Sequence, residues 1–213
     1  MDGYVPKLKE ICALAKKYNA LVHVDDSHAT GFFGPTGKGS IEHCDVIDEV
    51  DIITSTLGKA LGGASGGFTS GKADIIDMLR QKSRPYLFSN TVAPAIVSAS
   101  IEVINILQKS TGLRDKLADN TLYFRQKIQK LGYDVKDGNH PIVPIMLYDA
   151  QVAKKLSESL LKKGIYVISF SYPVVPKDQA RIRVQISASH SKNDLNIALE
   201  RFAESGRELK IIK

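Results

Sequence analysis

Tryptophan is absent from this sequence and cysteine occurs only twice, at Cys12 and Cys44. Two isolated cysteines supply neither a disulfide framework nor the spacing of a metal site, so no metal is expected. Cys12 falls on the apolar face of a helix-like stretch and reads as a small buried hydrophobe. A reducing compartment follows from this usage. No run of apolar residues approaches the roughly eighteen that a membrane helix requires. Asp2, Lys7, Lys9, Glu10, Lys16 and Lys17 interrupt the first turns of the chain, leaving no apolar core for a signal peptide. A soluble protein with no membrane partner is expected.

Repeats, low-complexity tracts and flexible linkers are also lacking. The balance of 43% hydrophobic and 24% charged residues is globular and excludes disordered and collagen-like chains. The 213 residues suffice for one large domain or two small ones with a substantial core. Positive charge is in excess, with 29 Lys and Arg against 23 Asp and Glu, a net +6. Such a balance raises a nucleic-acid partner, but the cations are dispersed and form no basic arm. The densest pairs, Lys16-Lys17 and Lys162-Lys163, end helix-like segments, where cations suit the helix dipole. No nucleic acid is expected.

Apolar positions Leu8, Ile11, Cys12, Leu14, Ala15 and Tyr18 carry the helical period over residues 6–18. Short apolar runs at 20–24, 50–54 and 66–70 read as strands. Because they do not alternate, they predict a sheet covered on both faces. Helices are expected over 72–84 and 93–108, with Pro85 and Pro94 marking boundaries. From about residue 110 the texture changes. A helix over 113–131 stops at Gly132, a strand follows at 142–147, and a helix over 150–163 stops at Gly164. Strands at 165–170 and 181–186 flank a proline-bounded loop at 172–177. A last helix starts after Ser191, capped with Asp194, and runs to Ser205-Gly206. This β-α-β-β-α order predicts a compact α+β unit packed on the first part.

Three clusters stand at strand ends, where open α/β sheets bind ligands. In the first, Asp25-Asp26-Ser27-His28, a carboxylate and an imidazole three residues apart can face one ligand. The same residues also read as a capped turn. The second, Ser55-Thr56-Leu57-Gly58-Lys59, superficially resembles a phosphate loop. Ile53 stands where the leading glycine is needed, however, and Ala60 where a magnesium-holding hydroxyl belongs. What remains is a lysine among small residues, suited to forming a Schiff base beside a flat ring, or else plain surface charge. In the third, Arg181-Ile182-Arg183, both arginines point to one face of a strand. They either receive a carboxylate or lie on a solvated face.

Taken together, VDDSHATG (24–31) and TSTLGKALGGASGG (54–67) resemble the α-oxoamine synthases, pyridoxal-phosphate enzymes of fold type I. RQKSRPYLFSNTVAPA (80–95) and SYPVVPKDQARIRVQISASHS (171–191) resemble the glycine C-acetyltransferase branch more than the biotin, haem or sphingolipid branches. The resemblance runs the whole length of the chain. It implies an α/β fold: part of a large, mainly parallel-sheet domain over 1–109, then a small α+β domain over 110–213. Pyridoxal 5'-phosphate is the implied cofactor, glycine and acetyl-CoA the implied substrates, and a homodimer with a shared active site the implied assembly.

By position, Lys59 matches the lysine that binds the cofactor covalently and acts as base, and Asp25 the carboxylate facing the pyridine nitrogen. His28 matches the imidazole near the ring's phenolic oxygen and Thr56 a hydroxyl on the phosphate. Ser89 matches a phosphate contact from the neighbouring subunit, and Arg183 the arginine that receives the substrate carboxylate. Lys82 and Arg84 read first as solvated charge and second as partners of coenzyme A phosphates. The compartment would be the cytoplasm, or the mitochondrial matrix in a eukaryote.

Members of this family are about twice as long, and Met1-Asp2-Gly3 matches an internal point of their sequences. The chain is therefore expected to correspond to their C-terminal half, to expose apolar surface and an unpaired sheet edge, and to have little transferase activity alone. The other readings are an oxoamine synthase with a longer acyl-CoA, or a non-catalytic remnant.

Overall fold

A computed structural model describes residues 1–63 and 65–213. It divides into two compact units, Pro6–Gly112 on the one hand and Met1–Val5 with Leu113–Lys213 on the other.

In the Pro6–Gly112 unit, helix α1 (Leu8–Lys17) buries Leu8 and Cys12, one turn apart, against Val22, Val24, Ile41, Val46 and Val50. Asn19 takes a left-handed φ of 50° and lets the Ala20 N–H reach back to the Ala15 carbonyl at 2.9 Å, closing the helix end. Strand β1 (His23–Asp25) follows, then the short helix α2 (Ser40–His43), strand β2 (Ile52–Thr56) and strand β3 (Gly67–Gly71). Their order in the sheet is β1-β2-β3, with β1 parallel and β3 antiparallel to β2. Helices α3 (Ala73–Lys82), α4 (Arg84–Phe88) and α5 (Pro94–Lys109) complete the unit.

The coverage of this sheet differs from the expectation. In β1 only Val24 is buried while His23 and Asp25 are exposed, and β3 is exposed along its whole length. The apolar run at 20–24 misled because most of it precedes the ladder: Leu21 is exposed and the strand proper alternates. Many apolar side chains of α4 and α5, among them Phe88, Val97 and Ile101, are likewise exposed, and Ser100 is the sole buried residue assigned to α5.

In the other unit, α6 (Gly112–Lys130), strand β4 (Asp134–Val135), strand β5 (Ile142–Tyr148), α7 (Ala150–Lys162), strand β6 (Ile168–Phe170), strand β7 (Ala180–Gln185) and α8 (Lys192–Glu208) follow in order. The sheet is wholly antiparallel, ordered β4-β5-β7-β6. Ala153, Leu156 and Leu160 form one stripe on α7, and Leu195, Leu199 and Phe202 form another on α8. These stripes meet Val143, Ile145 and Ile182 of the sheet in one core. Arg125 of α6 donates to the carbonyls of Lys136, His140 and Ile142, which fixes the loop before β5. The α8 start is the expected capping box, with Ser191 and Asp194 satisfying each other's backbone N–H. β6 is shorter than the run 165–170, because Ile165 donates its N–H to Leu160 of the preceding helix instead of a neighbouring strand.

Asp51, just before β2, ties the first unit's sheet to its flanks. Its carboxylate accepts the Val22 N–H at 2.8 Å and pairs with Lys72. The Lys72 hydrogen bond and the Val22 N–H hold the carboxyl below its ordinary value, against the burial that raises it. A carboxyl lowered in the folded state contributes stability above its unfolded pKa of about 3.9 and loses it as pH falls through the folded value. Asp51→Asn is therefore expected to lower the thermal midpoint at neutral pH, with the gap to the parent closing below about pH 4. Thermal melts across that range test this, and a gap independent of pH contradicts it.

Candidate active site

β1 and β2 run parallel with Asp25 opposite Thr54, so both strands leave the sheet on the same side. The segments that follow them carry His28 and Lys59. Of the two adjacent aspartates, Asp26 is buried. It accepts the Ser40 N–H at 3.0 Å, the Ser40 hydroxyl, and the Thr30 hydroxyl at 2.9 Å. Its own N–H donates to the Thr54 carbonyl at 2.8 Å. A Cβ at Gly39, where φ is +91°, would fall 1.6 Å from Asp26 Oδ2, so only glycine allows the loop to close there. Asp26 is thus fully engaged in holding the loop that bears His28.

Asp25 points the other way and is exposed. Its Oδ1 accepts the Ser27 N–H at 3.0 Å. Hydrogen bonds from the Ser27 side chain and backbone hold its carboxyl below the usual range, aided by the positive charges of Lys59 and His28. The capped turn is realised in the Ser27 N–H bond to Asp25. The Thr56 hydroxyl oxygen accepts the Gly58 N–H at 3.1 Å and gives its single proton to the Gly66 carbonyl at 3.2 Å. It closes the loop around Lys59, and a further donation from it requires that proton to leave Gly66. Ala64, in the same motif, lies outside the described residues.

Ser89 follows α4, exposed, with its N–H on the Pro85 carbonyl at 3.1 Å. Arg183 belongs to the other unit, on β7. Its guanidinium lies 4.6 Å from the Phe170 ring centre and donates to the Met1 carbonyl at 3.1 Å. Arg181 is buried and ion-paired with Asp2. Neither arginine lies on a plain solvated face, and only Arg183 is left half-exposed.

Sequence reasoning missed two residues here. Ser27 is the dominant partner of Asp25, and its signal was the Asp-x-Ser turn. His23 shares the exposed face of β1 with Asp25 and meets the Thr54 hydroxyl at 3.0 Å, which the two-residue spacing already implied. Among the described residues no group of three or more His, Cys, Asp or Glu side chains is arranged to hold a metal.

The family model for aminotransferase class I and II matches residues 1–202. The chain belongs to that family. Within it, the chain is 53% identical over 212 residues to a 2-amino-3-ketobutyrate coenzyme A ligase of Escherichia coli strain K12, covering all of this chain and 53% of the relative. It is 46% identical over 212 residues to an 8-amino-7-oxononanoate synthase of Thermosipho melanesiensis, covering 54% of it. Serine palmitoyltransferase of Sphingomonas wittichii superposes with a TM-score of 0.94 at 30% identity, over all of this chain and 54% of that one. The expected α/β, fold-type-I class holds on that likeness. The chain spans about half the length of the curated family members it matches. No described helix is long and apolar enough to cross a membrane.

The electrostatics of Asp25 yield a direct test. Ser27→Ala is expected to raise the Asp25 carboxyl pKa most, and Lys59→Met to raise it less, in the order of their effects on it. Carbon-13 NMR titration of the Asp25 carboxyl reads both. An Asp25 unmoved by the Lys59 substitution would show that the two groups do not face each other.

Proposed function

We propose that the protein is a pyridoxal-phosphate-dependent acyltransferase that condenses glycine with acetyl-CoA to 2-amino-3-oxobutanoate and coenzyme A. One observation carries this reading: the parallel strands β1 and β2 end on the same side of the sheet, so the exposed Asp25 and the segments bearing His28 and Lys59 leave it together. They do so in a chain 53% identical to a 2-amino-3-ketobutyrate coenzyme A ligase. In this reading residues 1–109 belong to the large domain, 110–213 form the small one, and the enzyme is a homodimer.

The donor set fits the cofactor. An amine suits an aldehyde, a carboxylate suits a protonated pyridine nitrogen, and an imidazole suits a phenolic oxygen. Thr56 fits least directly, since its proton is already on Gly66. Pyridoxal phosphate, when bound, supplies an electron sink for a carbanion at the substrate's α-carbon.

The rest falls to the chain's own residues. Asp25, kept ionised by Ser27, holds a proton on the ring nitrogen. His28 donates toward the phenolic oxygen, and Lys59 anchors the cofactor by its amine. With its amine free, Lys59 would be the base that takes the α-proton of glycine. Arg183 receives the glycine carboxylate through paired N–H donors and so orients the α C–H bond. The α-carbon then forms a bond to the acetyl carbonyl carbon, the C–S bond breaks, and the thiolate of coenzyme A leaves. Thr56, and Ser89 from the neighbouring subunit, contribute to holding the phosphate.

Borohydride reduction in the presence of pyridoxal phosphate is expected to label Lys59, and Lys59→Ala to abolish that label. A pyridoxyl group found by peptide mapping only on other lysines sinks the reading and favours a non-catalytic remnant. The 46% identity to the 8-amino-7-oxononanoate synthase supports a second reading, with a longer acyl-CoA. In the holoenzyme acetyl-CoA is expected to give the higher kcat/KM against pimeloyl-CoA, and the reverse order selects that second reading.

A further inference from the structure

Arg181 and Arg183 are two residues apart on β7, and both are engaged by the short segment Met1-Asp2-Gly3. Asp2 forms an ion pair with Arg181, whose side chain is only 5% exposed and whose Nε also donates to the Gln179 carbonyl at 2.9 Å. The Met1 carbonyl accepts from Arg183 at 3.1 Å. Gly3 presses the segment onto the neighbouring strand: its φ is +69°, and a Cβ there would lie 2.3 Å from the Ile142 carbonyl oxygen of β5. From the other direction, the Phe170 ring of β6 lies 4.6 Å from the Arg183 guanidinium. Phe170 is the register partner of Arg181, and Ile168 that of Arg183, so the ring approaches Arg183 diagonally.

We infer that Asp2 is a positioning residue for substrate binding: by its ion pair with Arg181 it fixes the Met1 carbonyl that aims Arg183. The inference rests on the proposed role of Arg183 as the receptor of the glycine carboxylate. A long guanidinium side chain has several rotamers, and a bidentate carboxylate site needs one of them held in advance. Phe170 restrains the plane of Arg183, and the Met1 carbonyl occupies one of its N–H groups and fixes the direction of the fork. Neither restraint on Arg183 is a carboxylate, so the guanidinium keeps its charge unneutralised for an incoming anion. The carboxylate of Asp2 goes instead to Arg181, which is too buried to meet a substrate. Asp2 thus acts at one remove. Loss of its charge removes the ion pair to Arg181 and so loosens the hold of the Met1 carbonyl on Arg183.

The test joins a kinetic and a non-kinetic readout. In the holoenzyme, Asp2→Asn is expected to raise KM for glycine about tenfold, with kcat and KM for acetyl-CoA within about twofold. Asp2→Glu, which keeps the charge, is expected to recover most of the loss. A merely destabilising substitution would lower the amount of active protein and leave KM for glycine alone. Nitrogen-15 relaxation at Arg183 Nε is expected to show a more mobile side chain in Asp2→Asn than in the parent, whether or not cofactor is bound. Arg183→Lys separates the two levels of the argument. If it raises KM for glycine while Asp2→Asn does not, the positioning role of Asp2 is overturned and the role of Arg183 stands. If Arg183→Lys leaves KM unchanged, the carboxylate-binding role fails and the inference fails with it. An Arg183 equally ordered in both proteins overturns the positioning role on its own.

Discussion

Val24 and Ile53 are partners in a parallel ladder, and that ladder determines where the segments carrying Asp25, His28, Thr56 and Lys59 begin. Parallel strands end on the same side of a sheet, whereas antiparallel strands end on opposite sides. Had β1 and β2 been antiparallel, the segment after Asp25 and the segment after Thr56 would depart from opposite edges, several residues of rise apart. Asp25 and His28 lie close in sequence but far from Lys59, and the parallel direction of β1 and β2 sends both segments off the same side of the sheet. The link between them is topological before it is electrostatic.

Direction alone does not say which side chain faces out. That choice is made by burial at a pair of like residues, and the chain makes it twice. At the end of β1, Asp26 turns inward and is satisfied by Ser40 and Thr30, which leaves Asp25 exposed. On β7, Arg181 turns into a buried ion pair, which leaves Arg183 half-exposed. A buried charge without partners is costly, so the inward residue of each pair must find its hydrogen bonds within the fold. The outward residue keeps capacity for a ligand because its neighbour supplies the structural bonds.

This division explains what was legible in the sequence and what was not. Helices α6, α7 and α8 could be read with their ends because their signals are local. They have stripes of apolar residues at helical spacing, glycines at 132 and 164 in left-handed conformations, and Ser191 with Asp194 as a box. The clusters at Asp25 and Lys59 were visible as small and polar residues after short apolar runs. The limits of β1 and β6 were not visible, since a strand begins where a partner strand lies alongside it. Ile165 is as apolar as Ile168 yet bonds to helix α7. The fates of the paired charges were equally hidden. Nothing local tells Arg181 from Arg183; the difference is Asp2, at the other end of the sequence.

The same logic recasts the positive balance of the chain. A net charge of +6 suggests a polyanion only if the cations share a face and lack partners. Here Lys72 is paired with Asp51, Lys163 with Glu204 and Glu208, and Arg181 with Asp2, while Arg125 is enclosed by backbone carbonyls. These cations are bound up in the fold. Lys59 is different: it stands exposed in a loop of small residues, its charge acting on Asp25. A cation among small neighbours beside a carboxylate and an imidazole suits a small, flat, multiply charged ligand far better than the regular phosphate ladder of a nucleic acid, which calls for many cations in a row. The information in the charge therefore lies in which cations the fold leaves available, and the total alone carries little of it.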